Sequence, residues 1–209
     1  MLFGISAPFA KLLLRDSTPQ LLAGLLYAGS GLGLLAVWLV RRTRAASNEA
    51  PLARADAPWL AGAIAMGGVL GPLLLMSGLS RTPASATSLL LNLEGVFTAL
   101  LAWFVFRENF DRRIAVGMAA ILLGGIVLSW EGRLDWGGAA GPLLVAGACF
   151  AWAVDNNFTQ KISAGDPVQI AMIKGLVAGA VNTGIALALG AQLPGGSRTA
   201  GAMLLGFLG

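Results

Sequence analysis

Four ionisable side chains stand inside otherwise apolar runs of this chain: Lys11, Glu94, Asp155 and Lys174. Two are acids and two are bases, so their charges sum to zero. A charge at the centre of a membrane helix costs roughly 2.5–3.5 kcal/mol on insertion scales, so each needs a partner, water or a ligand. Polar residues that can share this load lie close by in sequence. Asn92 and Thr98 flank Glu94, Asn156 adjoins Asp155, and Asn182 follows Lys174 by eight residues. There is no His and one Cys, Cys149. That removes the Ser/His/Asp and Cys/His triads and most zinc sites. No catalytic spacing stands out among the carboxylates and hydroxyls, so neither an enzyme, a metal site nor a cofactor is expected. The chemistry left is binding: holding a polar solute or a proton within apolar surroundings.

The elements that must position these groups are membrane helices. Of 209 residues, 56% are hydrophobic and 11% charged, against about 25% charged in soluble domains. Mean hydropathy is +0.77. The 29 Gly fall within apolar runs, where small residues let membrane helices approach closely. Cys149 has no second Cys to pair with, so it says nothing of redox compartment.

A spanning helix needs about 20 mostly apolar residues. Six runs meet or approach this: 19–40, 59–79, 85–106, 114–130, 141–162 and 167–189. The runs 2–14 and 201–209 are partial and read as truncated helices. No basic stretch precedes the first run, so a cleavable signal is not expected. The fold class expected is an all-α polytopic membrane protein with about six full and two partial spans.

Lys and Arg in the gaps set orientation. Arg41, Arg42, Arg44, Arg54, Arg107, Arg112, Arg113 and Lys161 occupy one set of alternate gaps; Arg15, Arg81, Arg133 and Arg198 occupy the other. The richer set is expected to be cytoplasmic, with the N-terminus on that side. This explains the net charge of +4 better than nucleic-acid binding does. Trp59, Trp103, Trp130 and Trp136, near run ends, read as interfacial anchors.

Glu94 sits at the middle of its run. At about 1.5 Å per residue, Asp155 and Lys174 lie ~5–6 Å to the cytoplasmic side of the midplane on consecutive helices and could pair. Lys11 could instead snorkel to the interface, and Asp155 with Lys174 could serve helix packing alone. Lys174, Ala178 and Asn182 share one helical face, with Gly175 and Gly179 forming a small-residue stripe beside them. Thr87, Glu94 and Thr98 share another face, next to Ser88, Asn92 and Gly95, and this sector is expected to line a cavity. Asp155, Asn156 and Asn157 point about 100° apart, so at least one must meet a neighbouring helix or a backbone.

A short pattern recurs. Asp16-Ser17-Thr18-Pro19 opens one helix and Ala164-Gly165-Asp166-Pro167 another, each after a basic residue. Five spans separate the copies, and an odd offset inverts topology between halves, as in inverted-repeat transporters.

The stretch Ser77-Gly78-Leu79-Ser80-Arg81-Thr82-Pro83-Ala84-Ser85-Ala86-Thr87, then Asn92 to Trp103, Glu108, Gly117 and Gly124-Gly125, resembles the EamA-type transporters of the drug/metabolite transporter superfamily. The opening Gly4-Ile5-Ser6-Ala7-Pro8-Phe9-Ala10-Lys11 is similar to that family's first helix. Many members carry Pro where Gly95 stands. The resemblance implies a bundle of two inverted five-helix halves. Here 1–130 would be the first repeat and 141–209 part of the second.

The resemblance and the intramembrane charges together lead to transport of a small metabolite or amino-acid-like solute by alternating access. Export across the cell membrane is favoured by family habit. The expected solute-binding residues are Asn92, Glu94, Thr98, Asp155, Asn156, Lys174, Asn182 and Lys11. Burial favours the neutral form of a carboxyl group, so Glu94 is the proton-coupling candidate. The partners expected are a small-molecule solute and the lipid bilayer, with no nucleic acid; a homodimer stays open. The alternatives are a membrane-embedded enzyme and an assembly subunit without transport activity.

Overall fold

A computed structural model describes residues 18–43, 50–109, 111–128 and 138–208. Lys11, Arg15, Arg44, Trp130, Arg133 and Trp136 lie outside the described residues. The described chain is almost wholly helical. Its one β-type contact is a parallel bridge between Ala50 and Gly165. Three helices, Pro19–Thr43, Arg54–Leu79 and Pro167–Ala188, are long and apolar enough to cross a membrane.

The two Pro-led helix starts form for the same reason. Helix α1, Pro19–Thr43, begins where Thr18 Oγ1 accepts the Leu21 amide at 3.3 Å. Helix α8, Pro167–Ala188, begins where Asp166 Oδ1 accepts the amides of Val168 at 2.8 Å and Gln169 at 3.3 Å. In both, an oxygen cap satisfies orphan donors and Pro takes the first position, where its missing N–H costs nothing.

The helix at 54–79 is not uniform. Ala57–Ala63 (α2) passes through a π-helical turn, Ile64–Leu70, into Gly71–Leu79 (α3). Pro72 has no N–H to offer the Gly68 carbonyl four residues back, and Gly67-Gly68 yields easily. The next apolar run is also divided, into Ala84–Leu91 (α4) and Leu93–Phe104 (α5). Asn92 marks the break, donating both its amide N–H and its Nδ2 to the Leu89 carbonyl at 3.1 Å. This is the local competition with the helix ladder that Asn side chains offer. The interruption thus falls three residues before Gly95, and α5 runs through Gly95 itself. Arg112–Leu128 (α6), Ala140–Lys161 (α7) and Gly196–Leu208 (α9) complete the set.

By packing, the chain forms two compact units that do not follow sequence halves: residues 1–69 with 161–209, and residues 70–160. In the first, α1 lies along α8 through glycines. A Cβ on Gly175 would come within 2.8 Å of Gly31 Cα, and one on Gly179 within 2.5 Å of the Ala28 amide nitrogen. The small-residue stripe on α8 is therefore a helix-packing surface, as its spacing predicts. Gly29 and Gly206 bring α9 equally close to α1 at Met203 and Leu26. In the second unit, Gly71 admits the Trp152 indole and Gly78 admits Val145, which docks α3 on α7.

Large apolar side chains remain outside. Val116 is 66% exposed, Leu123 61% and Leu143 69%. Such surface suits lipid, which is as apolar as the side chains facing it.

Candidate functional site

The second unit contains an open cleft of about 480 Å³ between α5 and α7. Its α5 wall is Glu94, Gly95, Thr98, Ala99 and Ala102, and its α7 wall is Asn156, Asn157 and Gln160. Both sets follow i, i+1, i+4 spacing, so each is one helical face. Ala99 and Ala102 are small, and Gly95 has nothing within 4 Å of where a Cβ would stand. The hollow follows from this lack of side-chain volume.

Aromatic contacts hold the two walls together, and a sulfur contact ties α7 to α4. Phe97 meets Phe150 edge-on at 5.8 Å, and Phe106 meets Phe158 edge-on at 6.3 Å. The buried Cys149 thiol donates to the Leu90 carbonyl at 3.4 Å. Glu108 joins the lining from the turn after α5. Arg107 adopts a left-handed φ of 55° there, and the Glu108 amide closes the helix end on the Ala102 carbonyl at 2.9 Å.

Polar groups converge across the cleft wall. Asn156 Nδ2 donates to Glu94 Oε1 at 3.0 Å and to Thr98 Oγ1 at 3.3 Å. Thr98 Oγ1 in turn donates to the Glu94 carbonyl at 2.8 Å. Asn157 is 2% exposed; its Nδ2 donates to the Ala153 carbonyl at 2.8 Å and the Thr98 carbonyl at 3.2 Å. The Asn157 Oδ1 is buried and accepts no hydrogen bond. The lining contains two carboxylates and no Lys or Arg.

The structure therefore brings together Glu94, Thr98 and Asn156 from the expected set. Asn92 stands at the helix break just before Glu94, with its amide turned back to its own chain. Asp155, next to Asn156, accepts the Thr159 hydroxyl at 2.9 Å through Oδ1. Lys174 is half-buried on α8 in the other unit. Lys11 is outside the described residues.

Asn182 has different surroundings. It is fully buried in the first unit; Nδ2 donates to the Gly68 carbonyl at 2.6 Å and to the Ala178 carbonyl at 2.8 Å. Its Oδ1 accepts Gln20 Nε2 at 2.5 Å. The Asn182 amide thus serves the Gly68 carbonyl at the π-helical turn, and faces a packed interior rather than an open cleft.

Asn157 and Gln160 were not among the expected site residues. Their signal was present: Asn156, Asn157 and Gln160 are polar positions at i, i+1 and i+4 on one face of an apolar helix. Among the described residues no group of acids and Cys is placed to hold a metal ion.

Helices throughout the described residues, three of them apolar and long enough to cross a membrane, define an all-α polytopic membrane protein. The chain belongs to the EamA-like transporter family, whose model matches residues 1–130. It is 31% identical over 204 residues to an "Uncharacterized transporter" of Methanothermobacter thermautotrophicus, covering 90% of this chain and 59% of that protein. It is 37% identical over 87 residues to a "Probable amino-acid metabolite efflux pump" of Salmonella typhimurium, covering 41% of this chain and 29% of that protein. The chain therefore spans less than two thirds of the length of either relative. A protein of known crystal structure shares the fold with a TM-score of 0.71 at 19% identity, over 96% of this chain and 69% of that one.

Proposed function

We propose that the protein carries a small solute across the membrane and that the solute binds in the α5–α7 cleft at Glu94. Family membership supports transport. The observation that carries the site is the Asn156 amide resting on a carboxylate in the middle of an apolar segment, at the wall of an open cleft. Asn92, Thr98 and Asn156 belong to the same group. Asp155, Lys174 and Lys11 complete the proposed solute-binding set. Asn182 holds the helix scaffold.

The solute is a metabolite or amino-acid-like molecule, in keeping with the name of the Salmonella relative. It moves outward across the cytoplasmic membrane by alternating access of two inverted halves, 1–130 and the part from 141 onward. The N-terminus is cytoplasmic. Glu94 exchanges its proton with the solute, so loading of one releases the other.

Proteoliposomes tested with radiolabelled amino acids and related metabolites check this reading. Glu94→Gln is expected to lose transport while inserting and folding normally. Full transport by that variant would overturn the assignment of Glu94.

A further inference from the structure

The cleft offers more hydrogen-bond acceptors than donors. Glu94 is acceptor-only when ionised, and its Oε1 accepts the neutral amide of Asn156. The Asn157 Oδ1 has no donor at all. That amide cannot be turned to exchange its ends, because Nδ2 already faces two carbonyls, Ala153 and Thr98. A buried acceptor without a donor is unusual and needs an explanation. Glu108 adds a second carboxylate to the lining, which includes no cation.

The Asn156 nitrogen itself shows where a donor fits, lying within hydrogen-bond distance of both Glu94 Oε1 and Thr98 Oγ1. A charged nitrogen placed there would bond the carboxylate about twice as strongly as a neutral amide. We propose that the cleft binds the primary ammonium group of an amine solute, which displaces the exposed Asn156 amide and donates to Glu94, Thr98 Oγ1 and Asn157 Oδ1. Three acceptors match the three N–H bonds of a primary ammonium. Asn157 Oδ1 is buried, and in this proposal displacement of Asn156 opens it to the ligand. The inference rests on the transport reading of the same cleft and narrows its substrate class.

The test is calorimetric binding of n-pentylamine to the purified protein, beside N,N,N-trimethylpentylammonium, which has the same charge and no N–H. The trimethyl analogue is expected to bind at least tenfold more weakly. Glu94→Gln should weaken n-pentylamine at least tenfold, and the isosteric Thr98→Val several-fold, with thermal unfolding of each variant unchanged. Equal binding of the two amines, no binding of n-pentylamine, or unaltered binding by Glu94→Gln and Thr98→Val would overturn the proposal. If Glu94→Gln abolishes transport but leaves n-pentylamine affinity intact, the transport site stands and the ammonium site falls. If it spares transport but loses n-pentylamine, the ammonium site stands and the transport assignment falls.

Discussion

The side-chain amide of Asn156 on α7 and the carboxylate of Glu94 on α5 lie 3.0 Å apart, joined by one hydrogen bond across the cleft wall. The same amide reaches Thr98, one turn further along α5, at 3.3 Å. One exposed side chain therefore occupies two acceptors that a solute would need.

This makes Asn156 a competitor of the solute. Asn156→Ala should tighten n-pentylamine binding about threefold to tenfold, since a net hydrogen bond of ~0.5–1.5 kcal/mol no longer has to be broken. Stability should hardly change, because the position is exposed and Ala is the better helix former. Isothermal titration alongside a thermal melt checks both. Weaker binding would instead make Asn156 a direct solute contact.

Gly95 gives the cleft its room. With nothing within 4 Å of a Cβ there, Gly95→Leu should fill the hollow without disturbing the fold. Replacing Gly95, in the first turn of α5, also stabilises by roughly 0.4–1 kcal/mol, because the unfolded chain loses backbone freedom. Transport should fall at least tenfold while the unfolding midpoint holds or rises. Gly95→Ala, with one methyl, should keep most of its activity. Initial-rate measurements in proteoliposomes distinguish the two variants.

The α8 stripe makes an opposite prediction. A Cβ at Gly179 would meet the Ala28 backbone at 2.5 Å, whereas Gly184 faces open space. Gly179→Val should therefore lower stability by about 1–3 kcal/mol through overpacking, and Gly184→Ala should be neutral or slightly stabilising. Unfolding in mixed detergent micelles measures both.

These cases show what could be read before the fold was seen. The Thr18-Pro19 and Asp166-Pro167 starts were legible because caps are local chemistry. The Gly175/Gly179 stripe was legible because helical spacing fixes a face. Spacing does not name the partner of a face: Glu94 and Asn156 stood in one candidate set, yet their 62-residue separation left the pairing open. Asn182 was placed on a face with Lys174 and Ala178, but the need of the Gly68 carbonyl for a donor appears only once the π-helical turn is seen. The four-residue interval from Gly68 to Pro72 carried that signal. The spacing of Asp155, Asn156 and Asn157 requires at least one of them to meet a neighbouring helix or a backbone without saying which; Asn157 does so, on the Thr98 and Ala153 carbonyls.

The Gln20–Asn182 hydrogen bond offers the sharpest energetic test. Asn182 bridges the Gly68 carbonyl and Gln20 Nε2 in a fully buried position. Asn182→Leu leaves Gln20 and the Gly68 carbonyl without that partner, so it should destabilise by about 2–4 kcal/mol, the sum of two buried groups at ~1–3 kcal/mol each less the gain from an apolar replacement. Gln20→Leu alone should cost less, since Gln20 Oε1 already lacks a partner and Asn182 keeps its two carbonyls. The double variant should recover part of the loss, because removing both polar partners is far cheaper than orphaning one. A double-mutant cycle on unfolding free energies should then give a coupling of roughly 0.5–3 kcal/mol, the range for residues in one hydrogen-bond network. Strict additivity would mean that the two amides do not depend on each other.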